Sequence, residues 1–105
     1  IAMTLTKLKR LRESGEYPLV EVVEHYNFFS KKRNDLYGIL DILAIDIKGN
    51  TVGLQVTSYS NISARIKKME NSDAISHLRD ANWQLIVEGW HKKDNKWVSR
   101  IVDIS

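Results

Sequence analysis

The sequence predicts a single α/β domain with a mixed central sheet flanked by helices, and three observations carry that expectation. Two nearly apolar runs, Leu36 to Asp46 and Thr51 to Ser58, are joined by Lys48-Gly49-Asn50. Glycine and asparagine tolerate the positive φ that a tight hairpin demands. Two segments, 4–14 and 61–70, repeat their apolar residues at helical spacing. A last alternating pair, Trp83 to His91 and Trp97 to Ile104, closes the chain as a hairpin across Lys92–Lys96. The order is helix, three strands, helix, strand, or αβββαβ, with one more strand after it.

The first helix sets Leu5, Leu8 and Leu11 as a narrow stripe among lysines and arginines, and Ser14-Gly15 stops it. Pro18 opens an extended segment, 18–26, in which Val20, Val22, Glu24 and Tyr26 share one face if the strand is regular. Glu24 is then either a strand-end ion pair or a catalytic acid. Residues 27–34 form a polar, basic connection. Strands 36–46 and 51–58 are apolar enough to be buried on both faces, with Gln55 and Thr57 on one face of the second. Ser60 is the expected N-cap of helix 61–70, whose buried stripe is Ile62, Ile66 and Met69. Asn61, Arg65 and Lys68 lie on one flank of that stripe, and Ser63, Lys67 and Glu70 on the other. A further helical turn or two carries Ala74, Ile75, Leu78 and Ala81, and leaves His77 facing solvent.

A chain of 105 residues has room for one core. Ile1-Ala2 ahead of Met3 reads as a cloning remnant, so the domain is taken as residues 3–105. With no cysteine, disulfides and thiolate-held zinc are excluded. No apolar run approaches the ~20 residues that span a bilayer, and no secretory signal is visible, so no membrane and a cytoplasmic setting are expected. The net charge is +3, but basic residues gather at Lys7-Lys9-Arg10-Arg12, Lys31-Lys32-Arg33, Arg65-Lys67-Lys68 and Lys92-Lys93. Such patches suit a polyanion if they converge, and nucleic acid is the commonest one; taken singly, each is a solvated face. Trp83, Trp90 and Trp97 either stack bases or, as such residues more often do, anchor the core and the sheet edges.

Asp41 and Gln55 are polar residues inside apolar strands. A buried carboxylate costs several kcal/mol unless something pairs with it, and a divalent cation is one such partner. Together with Thr57 they form the strand constellation of the chain. This arrangement resembles the PD-(D/E)XK nuclease superfamily, and in more detail the small phage nucleases of the Holliday-junction-resolvase-like or VRR-NUC-like sort. The residues that carry the resemblance are Glu24 to Asn27, Arg33-Asn34-Asp35-Leu36-Tyr37-Gly38, Asp41, Gln55-Val56-Thr57-Ser58, and Arg65 to Lys68. It covers about residues 20–70.

The resemblance implies a restriction-endonuclease-like αβββαβ core and a metal-dependent DNA endonuclease. Its metal would be Mg2+, with Mn2+ as a substitute, held by Asp41 and Gln55. The catalytic set it implies is Asp41, Gln55, Thr57, Lys68 and Glu24. Arg33, Ser58, Ser60, Asn61, Arg65 and Lys68 would meet the nucleic acid. The chain departs from the motif twice: Gln55 stands where the acid of the acid-x-lysine motif belongs, and Thr57 where the lysine does. Relatives of the VRR-NUC sort also carry glutamine at the first position. Some superfamily members move the lysine to the following helix, where Lys68 is the candidate. Asp35 is expected in an ion pair with a neighbouring basic residue.

Phosphodiester hydrolysis needs a cation to polarise phosphate and make hydroxide, and positive charge where the transition state gathers negative charge. Magnesium accepts one or two carboxylates and keeps several waters, so Asp41 with a neutral Gln55 oxygen is a sufficient start. The expected activity is cleavage of DNA, on branched or structured substrates. A domain this small would dimerise to span a junction, and the hairpin after Trp83 is either that interface or an edge. The competing classes are a nucleic-acid-binding module with a degenerate nuclease site, favoured by Thr57, and a structural protein using the sheet as a platform.

Overall fold

The structure is a computed structural model; it describes residues 7, 10, 11, 13–23, 25–27, 29 and 32–105, with residues 25–27 and 32–34 as backbone alone. Residues 7, 10, 11, 13 and 14 are helical, and Gly15, at φ +74°, turns the chain out of the helix. A five-stranded sheet follows in the order β1 (Leu19–Val22), β4 (Ile42–Ile45), β5 (Thr51–Ser58), β6 (Gln84–Lys93), β7 (Lys96–Asp103). Strands β2 (His25–Asn27) and β3 (Lys32–Asn34) pair separately as a small hairpin. Every neighbouring pair in the large sheet is antiparallel except β5 and β6. A parallel pair needs a crossover, and helices α1 (Ile62–Glu70) and α2 (Ala74–Asp80) supply it. The structure is therefore an α/β fold on a mixed five-stranded sheet; the β2–β3 hairpin, which puts strand Lys32–Asn34 inside the expected connection 27–34, departs from the expected αβββαβ order. Among the described residues no helix is long and apolar enough to cross a membrane.

The two sheet faces carry separate apolar clusters. Leu54, Val56, Ile42, Ala44, Val20 and Trp90 pack with Leu11 beneath the first helical segment. Leu40, Ile39, Leu85 and Val87 pack with Ile62, Met69, Ile75 and Leu78 of the two later helices. Two glycines permit the second layer to close. A side chain at Gly53 would run into Leu40, and one at Gly89 would run into Ile62 and the Tyr59 backbone. The stripe Ile62 and Met69 is buried as expected, and Ile66 is half-buried against the same cluster.

Local boundaries depart from the sequence expectation in four further places. Strand 36–46 begins only at Ile42, because Tyr37 and Gly38 both take positive φ (54° and 73°). They fold 35–40 into a turn in which Leu36 N–H donates to Leu40 O and Gly38 N–H to Asp35 O. Strand 18–26 is broken after Val22, so the face proposed for Val20, Val22, Glu24 and Tyr26 is not continuous; Glu24 itself lies outside the described residues. Helix α1 is preceded by a 3-10 turn at Tyr59–Asn61, which moves the N-cap from Ser60 to Asn61. The last hairpin turns on two residues, Asp94 and Asn95, both at positive φ, so its strands run on through Lys93 and Lys96. That is the geometry whose twist matches the flanking strands.

The β4–β5 turn is held by one side chain. Asp46 accepts the N–H groups of Lys48 and Asn50 and the Asn50 amide, which holds its carboxyl below the usual carboxylate range. Gly49, at φ +85°, completes the turn.

Candidate metal and phosphate site

Sheet register brings the predicted pair together. The β4–β5 ladder ends at Ile42 and Leu54, and Asp41, just ahead of β4, donates its N–H to Leu54 O at 2.8 Å, which sets it beside Gln55. Both are buried, at 2 % exposure. Gln55 Nε2 donates to Asp41 Oδ2 at 2.8 Å, and the Val56 backbone N–H donates to the same oxygen at 2.9 Å. A carboxylate offers only acceptors, so the Gln55 amide must turn its NH2 toward Asp41. Its Oε1 therefore points away, buried, with no hydrogen-bond partner among the described residues. Leaving such an oxygen unpaired costs about 1–3 kcal/mol.

Thr57, also buried, is two residues on and so on the same face as Gln55. Thr57 pairs with Gly89, which abuts Ile62, so this is the face beneath α1. Gln55 and Thr57 thus form one row under the helix, with Asp41 joined to it through Gln55. At the end of the row, Ser58 Oγ lies 3.4 Å from Ser60 Oγ, and Asn61 begins α1 without a side-chain capping bond. On α1, Lys68 is exposed and Arg65 half-buried, while Ser63, Lys67 and Glu70 are all exposed. Glu70 is committed to Arg79, whose Nη2 is 2.6 Å from its Oε1. Asp35 is half-buried. Glu24 and the Arg33 side chain lie outside what is described. Among the described residues no three His, Asp or Glu side chains cluster.

Two features escaped the sequence reading. Glu88 is buried at 2 %, but its register partner is Val56, which puts it on the opposite face from Gln55. There Lys7 Nζ lies 2.9 Å from Glu88 Oε2, close enough to pair by charge though off the hydrogen-bonding direction. Arg10 sits 4.7 Å over the ring of Trp90. Two cations of the first basic cluster are therefore turned inward onto the sheet. The sequence did hold a signal, because Glu88 is an acid inside the apolar run Leu85 to Trp90. The second feature is at the carboxyl end of the parallel pair β5–β6, where ligands commonly bind in open α/β sheets. Tyr59 packs on His91 with ring centroids 4.5 Å apart, and His91 Nδ1 is buried with no hydrogen-bond partner among the described residues.

The tryptophans divide. Trp90 is buried in the first cluster, Trp83 packs at the second cluster beside Tyr37, and Trp97 is 60 % exposed. Comparison of the chain with protein-family models, with curated proteins and with solved structures returns no match.

Proposed function

We propose that the chain is a metal-dependent DNA endonuclease, acting on branched or structured DNA. The observation that carries this reading is the buried Asp41–Gln55 pair, in which Gln55 Oε1 has no hydrogen-bond partner among the described residues and would reach the carboxylate side if the amide turned over to meet a cation. Hard oxygens from one carboxylate and one amide suit Mg2+, with Mn2+ as a substitute. Asp41 and Gln55 would hold the ion, which when bound polarises a phosphate oxygen and makes hydroxide available near neutral pH. The chain's own residues do the rest. Asp41 supplies the negative charge, and the Val56 N–H fixes its orientation. The 3-10 turn that leads into α1 already takes the Ile62 N–H on Tyr59 O, so at this end the side chains of Ser58, Ser60 and Asn61 would meet an incoming phosphate. Lys68 and Arg65, on one flank of α1, supply positive charge in place of a lysine at Thr57. Glu24 and Arg33 keep the roles the family resemblance implies.

The second reading is a DNA-binding module that has lost the chemistry. It is favoured by Thr57 and by Asp41 Oδ2, which already accepts two protein hydrogen bonds. The test is cleavage of a four-way junction and of plain duplex in Mg2+, Mn2+ and EDTA, alongside calorimetric titration of Mn2+. Metal binding with cleavage supports the nuclease. DNA binding without either favours the module, and no DNA binding removes both readings.

A further inference from the structure

β7 forms one edge of the sheet and presents features that edge strands usually avoid. It is eight residues long and carries no proline, and among its charged Lys96, Arg100 and Asp103 it exposes Trp97 at 60 % and Ile101 at 58 %. Natural edges are blunted by shortness, proline or charge, because an open row of N–H and C=O groups is a template for another strand. The opposite edge, β1, has four residues and follows Pro18.

The hydrogen-bonding direction along β7 is fixed by its partner. Ile104 N–H donates to Leu85 O, and the same register pairs Lys96 with Lys93 across the turn. In an antiparallel ladder alternate residues point their backbone groups toward and away from the partner. Residues 96, 98, 100, 102 and 104 therefore face β6, and Trp97, Ser99, Ile101 and Asp103 face outward. No backbone partner for these outward groups is present among the described residues.

We infer that β7 pairs antiparallel with β7 of a second copy of this chain, with Ser99 on the twofold axis. Three facts select that register. Ser99 opposite Ser99 sets Trp97 opposite Ile101 twice, a cross-strand aromatic–β-branched pair on the face where both are exposed. It places Lys96 opposite Val102 and Arg100 opposite Val98, so no like charges meet. The two adjacent registers that keep outward groups facing each other set Arg100 against Arg100, or Lys96 against Arg100. The twofold axis is perpendicular to the sheet, so both Asp41–Gln55 pairs lie on the same side of one continuous ten-stranded sheet. At strand spacings of about 4.8 Å and a rise of about 3.3 Å per residue, the two Gln55 positions are on the order of 30 Å apart. The inference does not rest on the nuclease reading; if that reading holds, the two sites address one DNA molecule from one side.

Sedimentation across a concentration series up to the millimolar range tests it. The wild-type chain should associate to a dimer. Ser99→Lys and Ser99→Glu, each alone, should weaken association by about tenfold or more, because each puts like charges on the axis. An equimolar mixture of the two should restore a heterodimer, with circular dichroism unchanged throughout. The chain has no native thiol, so Ser99→Cys should cross-link two copies on oxidation while Val98→Cys should not. A wild-type monomer at every concentration overturns the inference. So does a dimer that survives Ser99→Lys, or a mixture that fails to re-form one.

Discussion

Asp41→Asn separates the charge of the carboxylate from its role as an acceptor. In the folded chain Asp41 Oδ2 takes two donors, Gln55 Nε2 and Val56 N–H, at 2 % exposure. Asparagine can present its carbonyl oxygen to both. Hydrogen bonds to a charged group contribute about 1.5–3 kcal/mol each against about 0.5–1.5 for neutral ones, so the loss is about 1 kcal/mol per bond. Relief from burying a charge offsets part of this, which leaves a net destabilisation within about 2 kcal/mol. Asp41→Ala is different, because it strands both donors in the core at about 1–3 kcal/mol each, or about 2–6 kcal/mol in all. Urea unfolding followed by circular dichroism should rank the variants in that order. The Asn variant should also lose Mg2+-dependent cleavage and the stabilisation that excess Mg2+ gives the wild type. A ligand at one hundred times its Kd contributes about 2.7 kcal/mol, well within the resolution of such a measurement. Cleavage that survives in protein free of contaminating nuclease would refute the metal role. An Ala variant as stable as the Asn variant would refute the network itself.

Gln55→Glu replaces a donor to Asp41 with a second carboxylate at the same place, so the metal-free fold should be less stable and Mn2+ binding tighter by calorimetry. Unchanged or weaker affinity would make Gln55 a core contact. Lys68→Ala should lower turnover by orders of magnitude with little loss of DNA affinity, while Lys67→Ala should give only a small, salt-sensitive effect on binding; the reverse ranking would put the working flank of α1 on the other side. Gly89→Ala forces a methyl group into Ile62 and to 3.0 Å from Tyr59 Cα, and should destabilise by about 1–3 kcal/mol in thermal unfolding. The Asp46 carboxyl is held below its ordinary value of 3.8, so its contribution is complete above that pH and is lost as pH falls through the lower folded value. An acid titration of Asp46→Asn should accordingly show a shallower loss of stability than the wild type.

Much of this fold is local and therefore legible in the chain. The Lys48-Gly49-Asn50 turn, the stripe Ile62–Met69 and the alternation of the last hairpin depend on neighbours within a few residues, where spacing and turn chemistry act directly. Asp41 and Gln55 stood out for the same reason, as polar residues in apolar runs. The break at Tyr37 was hidden, because an aromatic residue at positive φ is held there by the turn around it and not by its own preference. What the sequence could not rank was the other side of each contact. Glu88 gave the same signal as Asp41, yet the parallel register across a two-helix crossover turns it to the opposite face, onto Lys7. Trp90 and Trp97 likewise alternate in one hairpin, but Trp90 lies in a cluster with Leu11 and Trp97 lies on an edge. Burial and pairing are decided by which element arrives over a strand from far along the chain, and side-chain periodicity carries no record of that.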